Sequence, residues 1–193
     1  MELGKYTGSL VFQHNYGFFL NEILRNAFRD KMTHVAVIND RNVNDLNDNP
    51  KIINAAFQGI IEDKLSTVII PTAEVEVWLP KLEYFPEVVI NEALTITEKK
   101  ALGQPYGYFQ LMSYIPYFYL RNIFPWMKNP ITDGMWCSEY MDIYLNSMNW
   151  DPVPNYDENA TRPNEIYDAV VKSGKFIKVA EKKNGESQLT VLY

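Results

Sequence analysis

Gly134-Met135-Trp136-Cys137-Ser138-Glu139-Tyr140 holds the only cysteine of the chain, at a point where a loop runs into an amphipathic helix. From Cys137 onward, apolar or aromatic residues recur at Tyr140, Met141, Tyr144, Leu145 and Met148. Those offsets mark one face of a helix. Asp133 or Gly134 is the expected cap, which puts Cys137 in the first turn. Unpaired backbone N–H groups and the helix dipole there favour a thiolate, so the thiol is expected to titrate below the ordinary cysteine range. A thiolate is the nucleophilic form, and an acyl-transfer nucleophile would stand here. The alternative is a small buried hydrophobe, the usual fate of a lone cysteine.

A nucleophilic cysteine needs a base, and the chain has only two histidines. His34 lies in Met32-Thr33-His34-Val35-Ala36-Val37-Ile38, which reads as a β-strand ended by the turn Asn39-Asp40-Arg41-Asn42. Period two puts His34 on the face of Ala36 and Ile38. His14 follows Leu10-Val11-Phe12-Gln13 at the exit of an earlier strand and heads into Asn15-Tyr16-Gly17. His34 is the better base because it starts a rigid element. For either histidine, a hydrogen-bonded structural role is the alternative.

Six local patterns now stand in a fixed order. They are Gly8-Ser9-Leu10-Val11-Phe12, Thr33-His34-Val35-Ala36-Val37, Val75-Glu76-Val77-Trp78-Leu79-Pro80, Leu102-Gly103-Gln104-Pro105-Tyr106-Gly107-Tyr108, Trp136-Cys137-Ser138-Glu139, and Thr161-Arg162-Pro163-Asn164-Glu165-Ile166-Tyr167. The ordered set resembles the circularly permuted branch of the NlpC-type papain-like cysteine hydrolases, which includes the lecithin retinol acyltransferase relatives. In that branch histidine precedes cysteine, as here. The resemblance implies an α+β papain-like fold, a small antiparallel sheet or barrel packed against helices. It implies Cys137 and His34 as the catalytic pair, and a third polar residue on the strand after the histidine strand. It also sets Tyr106 at a tyrosine position that recurs in the family.

The strand that would supply the third residue reads Lys51-Ile52-Ile53-Asn54-Ala55-Ala56-Phe57-Gln58-Gly59. The matching position holds Asn54, where an acid is commoner. An amide oxygen can accept the imidazole N–H and fix its tautomer, but it brings no charge to stabilise imidazolium. Gln58, on the same strand face by parity, is a weaker substitute. A plain strand-end polar residue is the alternative for Asn54.

Composition excludes several classes. The chain has 193 residues, enough for one domain spanning 1–193 with a substantial core. A net charge of −6 argues against a phosphate-binding surface, hence against nucleic acid as the main partner. Two histidines and one cysteine without metal spacing make no zinc site. No metal or other cofactor is expected. The N-terminus Met1-Glu2-Leu3-Gly4-Lys5 lacks the basic and apolar regions of a signal peptide. The aromatic-rich run 107–120 includes Gln110, Ser113 and Pro116 and falls short of the ~20 apolar residues that span a bilayer. No integral membrane segment is therefore expected, and the protein is expected to be cytoplasmic or carried within an assembly.

The coarse pattern predicts strands over about 8–13, 34–38, 51–57, 59–62 and 73–79. Helices are predicted over about 17–29, 87–102, 107–120, 137–148 and 163–172. A final pair, 176–179 with 188–192, closes across Asn184-Gly185. Between Tyr106 and Trp136 lie eight further aromatics, among them Tyr117, Phe124 and Trp126. They are core or a cleft wall, and a cleft wall would suit an acyl or peptide substrate and exclude water. Tyr106 and Trp136 are the candidate substrate contacts. The expected activity is a thiol hydrolase cleaving an amide or ester, whether cell-wall peptide, isopeptide or acyl lipid. The competing expectation is an interaction module of a larger assembly on the same fold, with a vestigial or slow site.

Overall fold

A computed structural model describes residues 2–16, 30–107, 134–153 and 161–192. The helices expected over 17–29 and 107–120, most of the aromatic stretch, and Asp133 lie outside the described residues.

Alternating apolar residues organise the sheet. Strands β1 (Leu10–Asn15), β2 (His34–Ile38), β3 (Lys51–Ala56), β4 (Gly59–Lys64), β5 (Ala73–Pro80), β6 (Phe176–Lys182) and β7 (Thr190–Val191) form one seven-stranded sheet in the order β4-β3-β2-β1-β5-β6-β7. Every pairing in it is antiparallel. Most neighbours in the sheet are neighbours in sequence, the arrangement that short connections favour. The architecture is α+β.

Both faces of the sheet are apolar, and parity sorts them. Leu10, Phe12, Val35, Val37 and Ile53 enter one core, whereas Val11, Ala36, Ile38, Ile52, Val75 and Val77 enter the other. The first core is covered by α1 (Glu87–Ala101), α2 (Cys137–Ser147) and α3 (Pro163–Ser173). Each helix presents residues at three- and four-residue spacing: Ile90, Ala93, Leu94 and Ala101 from α1; Tyr140, Met141, Tyr144 and Leu145 from α2; Ile166, Tyr167 and Val170 from α3. Each such large side chain stabilises the fold by about 1.5–3 kcal/mol on burial. The second core is closed by Leu46, Leu65 and Val68 from the connections around β3 and β4.

Two polar anchors fix α2, one to the segment that leads into β1 and one to the segment that leads into α3. The Tyr144 hydroxyl donates to the Gly8 carbonyl at 3.0 Å, and the Ser138 hydroxyl donates to the Thr161 carbonyl. Gly134 permits the approach into α2, because a Cβ there would meet the Pro105 carbonyl oxygen at 2.6 Å and the Gly107 nitrogen at 2.7 Å. Among the described residues no helix is long and apolar enough to cross a membrane.

Candidate functional site

β2 and β3 pair only at Val37↔Ile53 and Ile38↔Ile52. Toward the start of β2 the two strands part, and the N-terminal turn of α2 meets the sheet there. The Tyr140 hydroxyl lies 2.8 Å from the Val35 carbonyl oxygen and 3.0 Å from that of Ile53, sharing its proton between the parted strands. Burial holds the Tyr140 phenol well above its ordinary range, so it remains a donor.

Cys137 is the first residue of α2. The cap is Trp136, whose backbone N–H donates to Glu139 at 3.0 Å, not the expected Asp133 or Gly134. A carboxylate reaching back from the third helical position replaces a capping side chain. The thiol is buried, and burial pushes it up to about 11. The backbone N–H groups of Val35, Ser138 and Cys137 itself pull toward the thiolate, while the Glu139 carboxylate adds to the rise. The expected low thiol pKa is therefore overturned. The helix terminus does favour the anion, but desolvation outweighs it.

His34 sits half-buried at the first residue of β2. Its Nε2 lies 2.8 Å from Asn54 Oδ1. Burial lowers its pKa and the Asn54 hydrogen bond opposes that in part. Both members of the expected pair thus rest neutral near pH 7. The thiol faces the backbone N–H of Val35, the residue after His34, but among the described residues no hydrogen bond joins the thiol to the His34 ring, which alternation turns away from the core that holds Cys137.

Asn54 is buried on β3, and its Nδ2 reaches Asp63 Oδ2 on β4 at 3.4 Å. Gln58 does not serve as the expected substitute. It lies exposed in the two-residue turn between β3 and β4. His14 belongs to β1 rather than to a loop, buried beside Thr33 Oγ1 at 3.3 Å and edge-on to Tyr16.

Tyr106 forms a parallel bridge with Met135, reinforced by Met135 N–H donating to the Pro105 carbonyl at 2.9 Å. This brings Tyr106 beside the strand-like entry to Cys137. Trp136 is buried at the cap. A groove of about 460 Å³ opens along α2, lined by residues including Lys100, Gly134, Met135, Glu139, Asp142 and Ile143. Neither Tyr106 nor Trp136 lines that groove. Among the described residues no group of three or more His, Cys, Asp or Glu could hold a metal ion.

Sequence reasoning missed Tyr140 and Asp63. Tyr140, one turn after Cys137, read only as core. The signal for Asp63 was the strand register, taken up below. No protein-family model matches the chain, and none of the curated proteins matches it.

Proposed function

We propose that this protein is a papain-like thiol hydrolase that cleaves an amide or ester through Cys137 and His34. The observation that carries this reading is the His34 Nε2–Asn54 Oδ1 contact at 2.8 Å. An amide oxygen accepts, so Nε2 carries the proton and Nδ1 keeps its lone pair as the base. The convergence of the Cys137 thiol on the adjoining Val35 amide supports it.

Because both groups rest neutral, the hydrolase requires the His34 ring, at the open end of β2 where the strand parts from β3, to turn Nδ1 to the thiol and take its proton as Sγ bonds to the carbonyl carbon. The backbone N–H of Cys137 at the helix start stabilises the oxyanion. Collapse breaks the C–N or C–O bond, and His34 returns the proton to the leaving amine or alcohol. Water then hydrolyses the thioester. The substrates that suit the family resemblance are a cell-wall peptide, an isopeptide or an acylated lipid. Compartment follows from no residue described; a cytoplasmic or assembly-bound protein fits the reading.

A second reading has its own support. Alternation gives His34 the parity of Ala36 and Ile38, the face opposite the core that holds Cys137. With a thiol at about 11, this favours an interaction module whose site is slow. Incubation with p-nitrophenyl acyl esters at neutral pH separates the two. The hydrolase forms an acyl adduct on Cys137, seen by peptide mass spectrometry, at a rate that His34→Ala reduces. Absence of that adduct, or a rate indifferent to His34→Ala, selects the interaction module.

A further inference from the structure

We propose that Asp63 is a positioning residue that sets the tautomer of His34 through Asn54. The inference deepens the hydrolase reading and rests on it for its catalytic meaning.

Asn54 and Asp63 are not directly opposed. Asn54 pairs with Ile61, and Asp63 pairs with Ile52, so Asp63 is the diagonal neighbour of Asn54 on the same face of the hairpin. Nδ2 of Asn54 donates to Asp63 Oδ2 at 3.4 Å. The other carboxylate oxygen accepts the Lys64 N–H at 2.8 Å, which holds Asp63 in place.

An amide side chain alone leaves the tautomer open. Turned one way it accepts from Nε2–H; turned the other way it donates to a bare Nε2. A carboxylate can only accept, so Asp63 requires the NH2 end of Asn54 to face it. Oδ1 is then the only end left for His34, Nε2 must carry the proton, and Nδ1 must be bare. The same carboxylate polarises the amide and lends Asn54 part of the negative charge that it lacks. Asp63 thus acts in the place of the acid expected at position 54.

The test is nitrogen-15 NMR of the His34 ring across pH, in the parent and in variants. The parent shows the Nε2–H tautomer. Asp63→Asn, which can donate as well as accept, populates Nδ1–H and lowers the His34 pKa, because a nearby negative charge is removed. Glu62→Gln, a neighbouring charge paired with Lys51, leaves the tautomer unchanged. In Asn54→Asp with Asp63→Asn, a carboxylate at position 54 accepts directly and restores the Nε2–H that Asp63→Asn alone has lost; a double variant that keeps the Nδ1–H population of Asp63→Asn overturns the proposal. Ring shifts in Asp63→Asn that match those of Glu62→Gln overturn the proposal. Acylation of Cys137 is read separately: if it ignores His34→Ala while Asp63→Asn still moves the tautomer, the hydrolase reading fails and the Asp63 assignment stands.

Discussion

Glu76 on β5 and His34 on β2 are both polar groups set among apolar neighbours, and the fold treats them differently. The Glu76 carboxylate accepts from Lys31 Nζ at 2.7 Å, Tyr167 Oη at 3.0 Å and Trp78 Nε1 at 3.0 Å. Tyr167 also packs edge-on against Phe12 and Trp78, so the cluster fastens α3 to the sheet. The His34 ring has a single hydrogen bond among the described residues, through Nε2. A saturated polar cluster does structural work and has nothing to offer a substrate. A rigidly held imidazole with one nitrogen unengaged has a lone pair to use. The difference predicts that substitutions at the two places will fail in different assays.

The largest effect is expected at His34. His34→Ala should slow acylation of Cys137 by about 10²-fold or more, the range for loss of a general base. Its unfolding midpoint in denaturant should stay close to the parent's. A variant that unfolds readily but acylates normally would reverse the assignment and make His34 the structural member of the pair.

Glu76→Ala should do the opposite. It leaves the Tyr167 hydroxyl and the Trp78 indole without their acceptor in a buried setting. A loss of about 2–3 kcal/mol is expected, below the full figure for a buried ion pair because Lys31 is half exposed. Urea unfolding measures it. The acylation rate of the folded fraction should not change, and a parallel loss of rate would join the two clusters into one functional unit.

Much of this contrast was legible beforehand, and the gaps have physical causes. β2, β3, α1 and α3 were readable because period and punctuation agree: Pro86 before α1, Gly174 at φ 67° after α3, Gly59 at φ 128° after the hairpin turn. The candidate site was half legible. Cys137, His34 and Asn54 stood out by type and place, and the structure joins His34 to Asn54. Asp63 was lost because the sequence reads β4 as ending near residue 62, while Glu62, Asp63 and Lys64 continue the strand on an exposed edge where charge is tolerated. β6 was shortened for a related reason. Its last residue, Lys182, looks like loop, yet its Nζ is buried and donates to the Ala73 carbonyl at 2.6 Å. The neutral thiol was illegible because a helix N-terminus announces itself in sequence, whereas desolvation depends on packing.

Asn54 sharpens the comparison at smaller scale. Asn54→Ala should lower the acylation rate about tenfold by releasing the His34 ring, with stability nearly intact. Asn54→Glu should hold or raise the rate, because glutamate accepts from the ring and adds charge. If Asn54→Ala acylated as fast as the parent, the orienting role would belong elsewhere.

The smallest effect concerns the thiol itself. Burial pushes the Cys137 thiol up to about 11 in the folded protein, from 9.0 for an unperturbed thiol. A raised folded pKa means that the native state holds its proton more tightly than the unfolded chain does. The stability linked to that proton is fully present below pH 9 and is lost as pH rises toward 11. At pH 10 the loss amounts to about 1 kcal/mol. Other groups titrate in the same range, so the measurement is a difference: the stability of the parent minus that of Cys137→Ala, by urea unfolding at pH 7 and pH 10. The difference should shrink on going to pH 10. Iodoacetamide should agree, with an alkylation rate still climbing at pH 10. A rate that levels off near neutrality would show a thiolate already formed at rest, and Cys137 and His34 would then work as an ion pair rather than as a neutral pair that ionises during attack.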